Sequence, residues 1–523
     1  MKTTRIYILL ALFMLDGIIL LAQDSNMAQN AGERQIEYGY WADVVTEQPE
    51  GYVMDVDGNV EIFTPEGLAW LSCVVNGLNG CEPDNFDGRT VRLMADLNLE
   101  EIYGLMNLVP IGNREHRFMG SFDGQNHSID GLFILNSLGE EMRMDMGLFG
   151  YLYHGTVKNL SLNSGFYSYM HPFDMNTGTY ELYYDALVAA VADSLSVVDG
   201  CTCRLKMLEA VGNAHPSGTY MASIVGLNRN SIVRNCSYEM DRYSQCGAID
   251  VGGIVLRNLC EGDYADAIVE NCYFYGSLMG SYSDENMGGV VCFNETVSNG
   301  KRAVVRNCYS ELLSYLTGHE NKGCIVAYNS EGSVVENCYA DIRGQQGWNG
   351  LFGTNLGETV NCTDFVLNVG DGWLSESVVI GGTEINELVE ALNAWVSIQD
   401  EPSQYLTWIE GYYISVPEFG EVWGVAEDKT SSRVNAYPNL GKDVLNIRTE
   451  LKDARVEVYD LNGRLIHGQA LTGHVTAIDA TDWAEGVYVW KVYASGGGPS
   501  TLRPGSATTG SGTLVETGKW VKK

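Results

Sequence analysis

The chain has 523 residues, with 32 Lys or Arg against 67 Asp or Glu, and a formal charge of −35. Such an acidic chain excludes nucleic acid as a partner, because phosphate recognition rests on Lys and Arg. It also disfavours anionic membranes and repels a polyuronate substrate through its like-signed field.

Residues 1–22 read as a cleaved export signal. Lys2 and Arg5 form a basic start, an apolar run extends from Ile6 to Leu21, and Ala22 closes it. Asp16 inside the run opposes a permanent anchor, and no other stretch of the mature chain is long and apolar enough to span a bilayer. Residues 23–61 form a polar extension ending in the turn Asp57-Gly58. Asp55, Asp57, Asn59 and Glu66 imitate the ligand spacing of a calcium loop, but Val60 stands where the loop needs a Gly. The segment is therefore read as a turn leading into a helix, with no metal. Thr64 is the N-cap, Pro65 the first helical residue, and Gly77 the stop. Leu68, Leu71 and Val75 share one face of this helix, which is expected to cap the end of the next domain.

Strands resume at TVRLMADLNL, and from there to residue 373 one phrase recurs. It reads TVKNLSL at Thr156, IVRNCSY at Ile232, IVENCYF at Ile268, VVRNCYS at Val304, VVENCYA at Val334 and TVNCTDF at Thr359. A small-residue block precedes each phrase: GLFG at Gly147, SIVG at Ser223, GIVL at Gly253, GVVC at Gly289, CIVA at Cys324 and GLFG at Gly350. ALVA at Ala186 exposes a further repeat, VVDGCTC. One slot then holds Leu160, Cys201, Cys236, Cys272, Cys308, Cys338 and Cys362, at intervals of 41, 35, 36, 36, 30 and 24 residues. Leu97 and Leu132 are placed in the same slot upstream. The intervals vary too much for helical pairs and suit stacked coils of short strands. Strands that return in one direction without intervening helices must pair in parallel. The fold expected for residues 62–373 is all-β, a parallel β-helix with short helical caps.

Within the repeat, strand alternation points the slot residue inward, so Cys201, Cys236, Cys272, Cys308, Cys338 and Cys362 are expected as a buried thiol ladder. Asn159, Asn235, Asn271, Asn307, Asn337 and Asn361 precede the slot and are expected to stack at a corner with amide hydrogen bonds. Tyr273, Tyr309 and Tyr339 follow it and should face outward. Two readings apply to them: a stabilising aromatic ladder, or a platform for sugar rings. Cys73 and Cys81 stand apart and are candidates for a local bridge.

TEINELVEALNAWV from Thr383 reads as an amphipathic helix, and residues 374–425 as a C-terminal cap. Residues 426–433 are a linker. From Val434 to Lys523 the chain alternates apolar and polar residues, with a hairpin signal at Asn462-Gly463 and a Gly-rich insertion from Gly496 to Gly512. This is expected to be a small antiparallel β-sandwich.

Two resemblances follow. FDGRTVRLMADLNL, VPIG, FMGSFDGQNHSIDGLFI, GLFG, TVKNLSL and the later GGIV…NCY units resemble the GLUG-motif β-helical surface proteins of Bacteroidetes over residues 62–420. That likeness implies a right-handed parallel β-helix on an exported protein and no single activity. Residues 434–523 resemble a type IX secretion system C-terminal sorting domain, through YPN at Tyr437, VYDLNGRLI at Val458, WAEGVYVWKVY at Trp483 and ETGKWVKK at Glu516. Glu516, Thr517, Gly518, Lys519, Trp520, Val521 and Lys522 would then belong to the sorting signal. The family reading is passage across the outer membrane by the type IX secretion machinery, usually with removal of the domain and attachment to surface lipopolysaccharide. Leu440, where a second Pro is common, and the long Gly-rich insertion depart from the pattern.

No G-x-S-x-G, H-E-x-x-H or Cys–His pairing stands out, and no cofactor or catalytic residue is assigned. The expected function is a non-catalytic, cell-surface adhesin that binds a glycan or host surface protein. The alternatives are a β-helix polysaccharide-degrading enzyme and a surface spacer without a specific ligand.

Overall fold

The chain divides into two compact units, Met1–Glu421 and Val422–Lys523. The computed structural model describes residues 39–100, 106–135, 145–168, 183–204, 206–207, 220–239, 250–278, 286–312, 321–342, 350–368, 371–409 and 417–419 of the first. Of the second it describes 434–437, 440–441, 444–449, 454–460, 464–471, 475–484, 486–495 and 512–522. The expected export signal, the linker at 426–433, the Asn462-Gly463 turn and most of the Gly-rich insertion lie outside the described residues.

The protein is all-β in class, and the first unit is built from long parallel sheets. One sheet stacks seven strands in chain order: Phe149–Tyr153, Ala189–Asp193, Val225–Arg229, Val255–Cys260, Val291–Thr296, Val326–Asn329 and Phe352–Asn355. A second stacks Asp185–Ala186, Tyr220–Ala222, Asp250–Gly252, Asn286–Gly288 and Asn321–Gly323. The NC phrases belong to a third and larger sheet, in which each phrase pairs in parallel with the same residues of the next.

The register explains the sequence pattern. Val60, Val91, Phe122, Val157, Val198, Val233, Val269, Val305 and Val335 form one column across successive levels. All are fully buried, and each contributes about 1.5–3 kcal/mol of burial. β-branched side chains suit this surface because their stiff rotamers pack well on a pleat. Levels approach so closely beside the second sheet that glycine is required in places. A Cβ on Gly289 would lie 1.9 Å from the Cys324 carbonyl oxygen.

The helix expected after Thr64 spans Pro65–Asn76, with the Thr64 side chain accepting from the Gly67 amide and Gly77 left-handed at φ 69°. Leu68, Leu71 and Val75 are buried in the main core. The turn before it is closed by the Asp55 carboxylate, which accepts from the Asp57 and Asn59 amides and from Asn59 Nδ2. The strands on either side, Tyr52–Met54 and Val60–Ile62, pair antiparallel.

Two expectations require correction. Leu97 pairs with Ile129 and Ile129 with Leu162, two residues beyond the Leu160 slot, while Leu132 pairs with Gly165. The upstream offset arises at Gln125 and Asn126, both with positive φ, which lengthen that corner. The helix expected from Thr383 begins at Leu388 and ends at Ser397. Thr383–Glu387 is instead a strand, turned back against Asp371–Ile380 through Gly381 and Gly382, both with positive φ.

In the second unit, Val434–Tyr437, Val444–Thr449 and Val475–Asp479 form one antiparallel sheet. Leu440–Gly441, Gly512–Lys522, Gly486–Ser495, Ala454–Asp460 and Leu465–Ala470 form the other, in that spatial order. The last two pair antiparallel across the expected hairpin. Leu445, Ile447 and Ile478 of the smaller sheet share one core with Val456, Val458, Tyr488, Trp490 and Val492 of the larger.

Candidate functional site

Every NC corner has the same backbone geometry. Asn159, Asn235, Asn271, Asn307, Asn337 and Asn361 all have φ between 49° and 54°. Asn tolerates this left-handed region better than other side-chain-bearing residues. Where the repeat has no Asn, Gly200 takes φ 64°. The amides then stack: Asn271 Nδ2 donates to Asn235 Oδ1 and Asn307 Nδ2 to Asn271 Oδ1, both at 2.8 Å, and Asn361 Nδ2 to Asn337 Oδ1 at 3.1 Å. Below them, Asn235 donates to Asp199 at 2.7 Å and Asn159 to Asp123 at 3.1 Å. Among the described residues Asn307 Oδ1 has no hydrogen-bond partner, so the row is interrupted before Asn337.

Beside the amides lies the thiol column. Cys201, Cys236, Cys272, Cys308 and Cys338 are buried and Cys362 is half-buried, all as free thiols. Burial, reinforced by the neighbouring column thiols, pushes the Cys272 and Cys338 thiols well above the ordinary cysteine range. Cys73 and Cys81 are also free, so the expected local bridge is absent. Burial raises the Cys73 thiol to about 11, with the Cys81 charge adding to it.

The residue preceding each corner carries a charge whose sign alternates from level to level. Glu61, Arg92, Asp123, Lys158, Asp199, Arg234, Glu270, Arg306 and Glu336 occupy successive positions of one column, which ends at Val360. Adjacent members form ion pairs: Lys158–Asp123 at 3.2 Å, Arg234–Asp199 at 2.8 Å and Arg306–Glu270 at 2.6 Å. Burial alone would raise the Asp123 carboxyl. Bonds from the Gln125 amide, Asn159 and Lys158 outweigh burial and hold it below the usual range.

The tyrosines are not an open platform. Tyr273, Tyr309 and Tyr339 are 2 %, 0 % and 0 % exposed. They point away from the thiol column, as strand alternation requires, but that flank is sealed. The rings of Tyr273 and Tyr309 stack in parallel at 5.2 Å, and Trp408 leans on both at 5.7 and 5.5 Å. Phe365, Phe419, Leu388 and Leu392 complete the cover. An exterior row of aromatic rings is too apolar to leave in water, and the amphipathic C-terminal stretch supplies the partner.

That cover is latched to the Asn corners. Asn271 Nδ2 donates to the Leu406 carbonyl at 3.0 Å, and Trp408 Nε1 donates to Asn271 Oδ1 at 2.7 Å. Asn235 donates to the Gln404 carbonyl and accepts from the Leu406 amide. Asn307 donates to the Leu392 carbonyl and Asn361 to the Val379 carbonyl. Residues 371–408 therefore run along the side of the stack at least from the level of Asn361 to that of Asn235.

Sequence reasoning missed a second amide row. Asn228, Asn258, Asn294 and Asn329 are fully buried and joined to each other and to Asn355 by bonds of 2.7–2.9 Å. Among the described residues Asn228 Oδ1 lacks a partner, because the level below presents Ala192. An Asn three residues after each paired Val or Phe of the small-residue block was the available signal.

In the second unit, Glu516 to Lys522, the residues expected as a sorting signal, lie on the strand Gly512–Lys522, paired antiparallel with Gly486–Ser495. The Lys522 ammonium is buried and donates to the carbonyls of Ala480 at 2.5 Å and Thr481 at 2.8 Å. Leu440 pairs in parallel with Val521.

Among the described residues no helix is long and apolar enough to cross a membrane. Comparison with curated proteins and with solved structures finds no match. Residues 435–501 match the family described as secretion system C-terminal sorting domain. The chain thus carries a type IX sorting domain of the Bacteroidetes kind, and the protein is cargo that this machinery delivers to the cell surface or extracellular space.

Proposed function

We propose that residues 62–373 form a right-handed parallel β-helix of the GLUG type, with residues 374–425 as its C-terminal cap and 426–433 as the linker. We further propose that it acts on the cell surface as a non-catalytic adhesin for a glycan or host surface protein. The observation that carries this reading is the pairing of a surface-sorting domain with a long stack whose amides, thiols and paired charges serve the scaffold. Such a stack offers extended surface rather than an enclosed pocket, which suits binding. Residues 1–22 act as the first export signal in this scheme. The sorting domain is removed at the outer membrane and the remainder attached to lipopolysaccharide.

The test is binding of the secreted protein to glycan and extracellular-matrix arrays. Saturable binding to a defined ligand class supports an adhesin. Blank arrays leave a spacer, and release of reducing sugar from a neutral glycan overturns the non-catalytic reading.

A further inference from the structure

One groove of the first unit, about 480 Å³ in volume, is not explained by the scaffold. Asn85, Glu115, His116, Arg117, Met119 and Tyr153 line it. Its wall, residues 112–118, is a tightly built turn. Gly112 has φ 77°. Asn113 Oδ1 accepts from the Glu115 and His116 amides at 2.8 Å each, and the Asn113 amide donates to the His116 carbonyl at 2.8 Å. Asn113 Nδ2 donates to Asn76 on the N-terminal helix at 2.9 Å, and Asn76 donates to the Pro110 carbonyl at 2.8 Å. The opposite wall is tied on by the Met119 amide, which donates to the Asn85 carbonyl at 2.7 Å.

Arg117 is the unusual member. Most described cations of the first unit pair with a carboxylate, including the neighbouring Arg114, which grips Asp145 at 2.7 and 3.0 Å. No carboxylate among the described residues pairs with Arg117, which is exposed. Its guanidinium lies over two tyrosine rings, 5.1 Å from Tyr151 and 4.9 Å from Tyr153. Stacking of this kind fixes the plane of the fork; Nε donates to the Arg114 carbonyl at 3.4 Å, and the two Nη groups remain to receive a carboxylate. A fork already oriented before binding loses little freedom when a carboxylate docks.

We propose that this groove binds a carboxylate-bearing sugar, with Arg117 taking the carboxylate and Glu115, His116 and Asn85 reading ring hydroxyls. The proposal rests on the surface-binding reading and names the ligand class for it. The groove is far larger than a lone carboxylate, and its mixed donors and acceptors match a polyol. The charge of −35 repels a polyanion over distance. A single terminal acidic sugar meets only the near part of that field, the Glu115 and Asp84 carboxylates of the groove, of which Asp84 is paired with Arg89, because charges beyond roughly 8 Å are screened at physiological salt.

The test uses the full-length secreted protein, with titration calorimetry and saturation-transfer NMR. The probes are glucuronic acid, glucose and acetate. Glucuronic acid should bind at millimolar concentration, with glucose and acetate each weaker by about tenfold, the scale of one charge-assisted hydrogen-bonded pair. Arg117→Ala should lose about tenfold or more with an unchanged melting curve, and Arg117→Lys should recover part, since it keeps the charge without the fork. Equal binding of glucose, equal binding of acetate, or full affinity in Arg117→Ala each overturns the proposal. If arrays report ligands while glucuronic acid does not bind, the groove assignment fails and the adhesin reading stands. Blank arrays with glucuronic acid bound retain the groove and overturn the adhesin.

Discussion

Arg306→Glu is the sharpest perturbation of the alternating charge column. Arg306 donates through Nε and Nη2 to one oxygen of Glu270 at 2.8 and 2.6 Å, and lies 4.0 Å from Glu336 on the next level. The Glu270 side chain is 3 % exposed and that of Arg306 27 %. Removing the cation leaves a buried carboxylate without its charge partner, with the Tyr405 hydroxyl still bonded to it, which costs about 3–5 kcal/mol. Arg306→Gln still offers Glu270 a neutral donor and should fall near 3 kcal/mol, the low end of that range. Arg306→Glu aligns three acids on consecutive levels. Like charges about 5 Å apart repel by about 3 kcal/mol at an effective dielectric of 20, an upper bound because one of them will protonate. The reversal should therefore cost about 5 kcal/mol. Glu270→Gln with Arg306→Gln leaves no buried charge and should lie within about 1 kcal/mol of wild type. Native-state hydrogen exchange at residues 267–270, 303–306 and 334–336 measures the opening free energy of these strands directly. Equal losses for Arg306→Gln and Arg306→Glu, or a double variant as unstable as the reversal, would refute the electrostatic reading.

Three further outcomes are expected. Burial raises the Asp250 carboxyl, although Asn286 donates to it twice. A raised folded pKa means stability present below the unfolded value, about 3.9, and lost as pH climbs through the folded value. Asp250→Asn should thus gain on wild type between pH 4 and 7 in urea melts, and a constant difference would refute it. Asn271→Gly should be milder than Asn271→Ala by about 1 kcal/mol, because both lose the amide bonds but only Ala resists the left-handed corner; a milder Ala variant would refute this. The buried column thiols, Cys201, Cys236, Cys272, Cys308 and Cys338, should resist a thiol reagent in native protein and react once it is unfolded, and rapid native labelling there would contradict their burial.

The NC phrase made the stacking legible because a strand has only two faces and a fixed repeat must keep one of them inward. That rule says which way Tyr309 points and nothing about what is laid over it. The cover comes from Leu392, Trp408 and Phe419, some 83 to 110 residues later in the chain, so only its apolar stripe was visible in advance. The Leu97 and Leu132 placements failed for a local reason, the enlarged corner at Gln125 and Asn126. The charge column, by contrast, was written openly as Lys158, Asp199, Arg234, Glu270, Arg306 and Glu336, one per repeat. Its meaning lies in the near-identity of the phrases. IVRNCSY, IVENCYF, VVRNCYS and VVENCYA bury almost the same groups, so hydrophobic burial scarcely distinguishes pairing a phrase with its neighbour from pairing it with the phrase after. Sign alternation does distinguish them. Nearest levels attract, whereas skipping one level sets Arg234 against Arg306 or Glu270 against Glu336, and like charges opposite each other in a sheet are destabilising. A repeat that uses one core formula at many levels has to label the levels another way, and here the label is the single charged residue beside each corner.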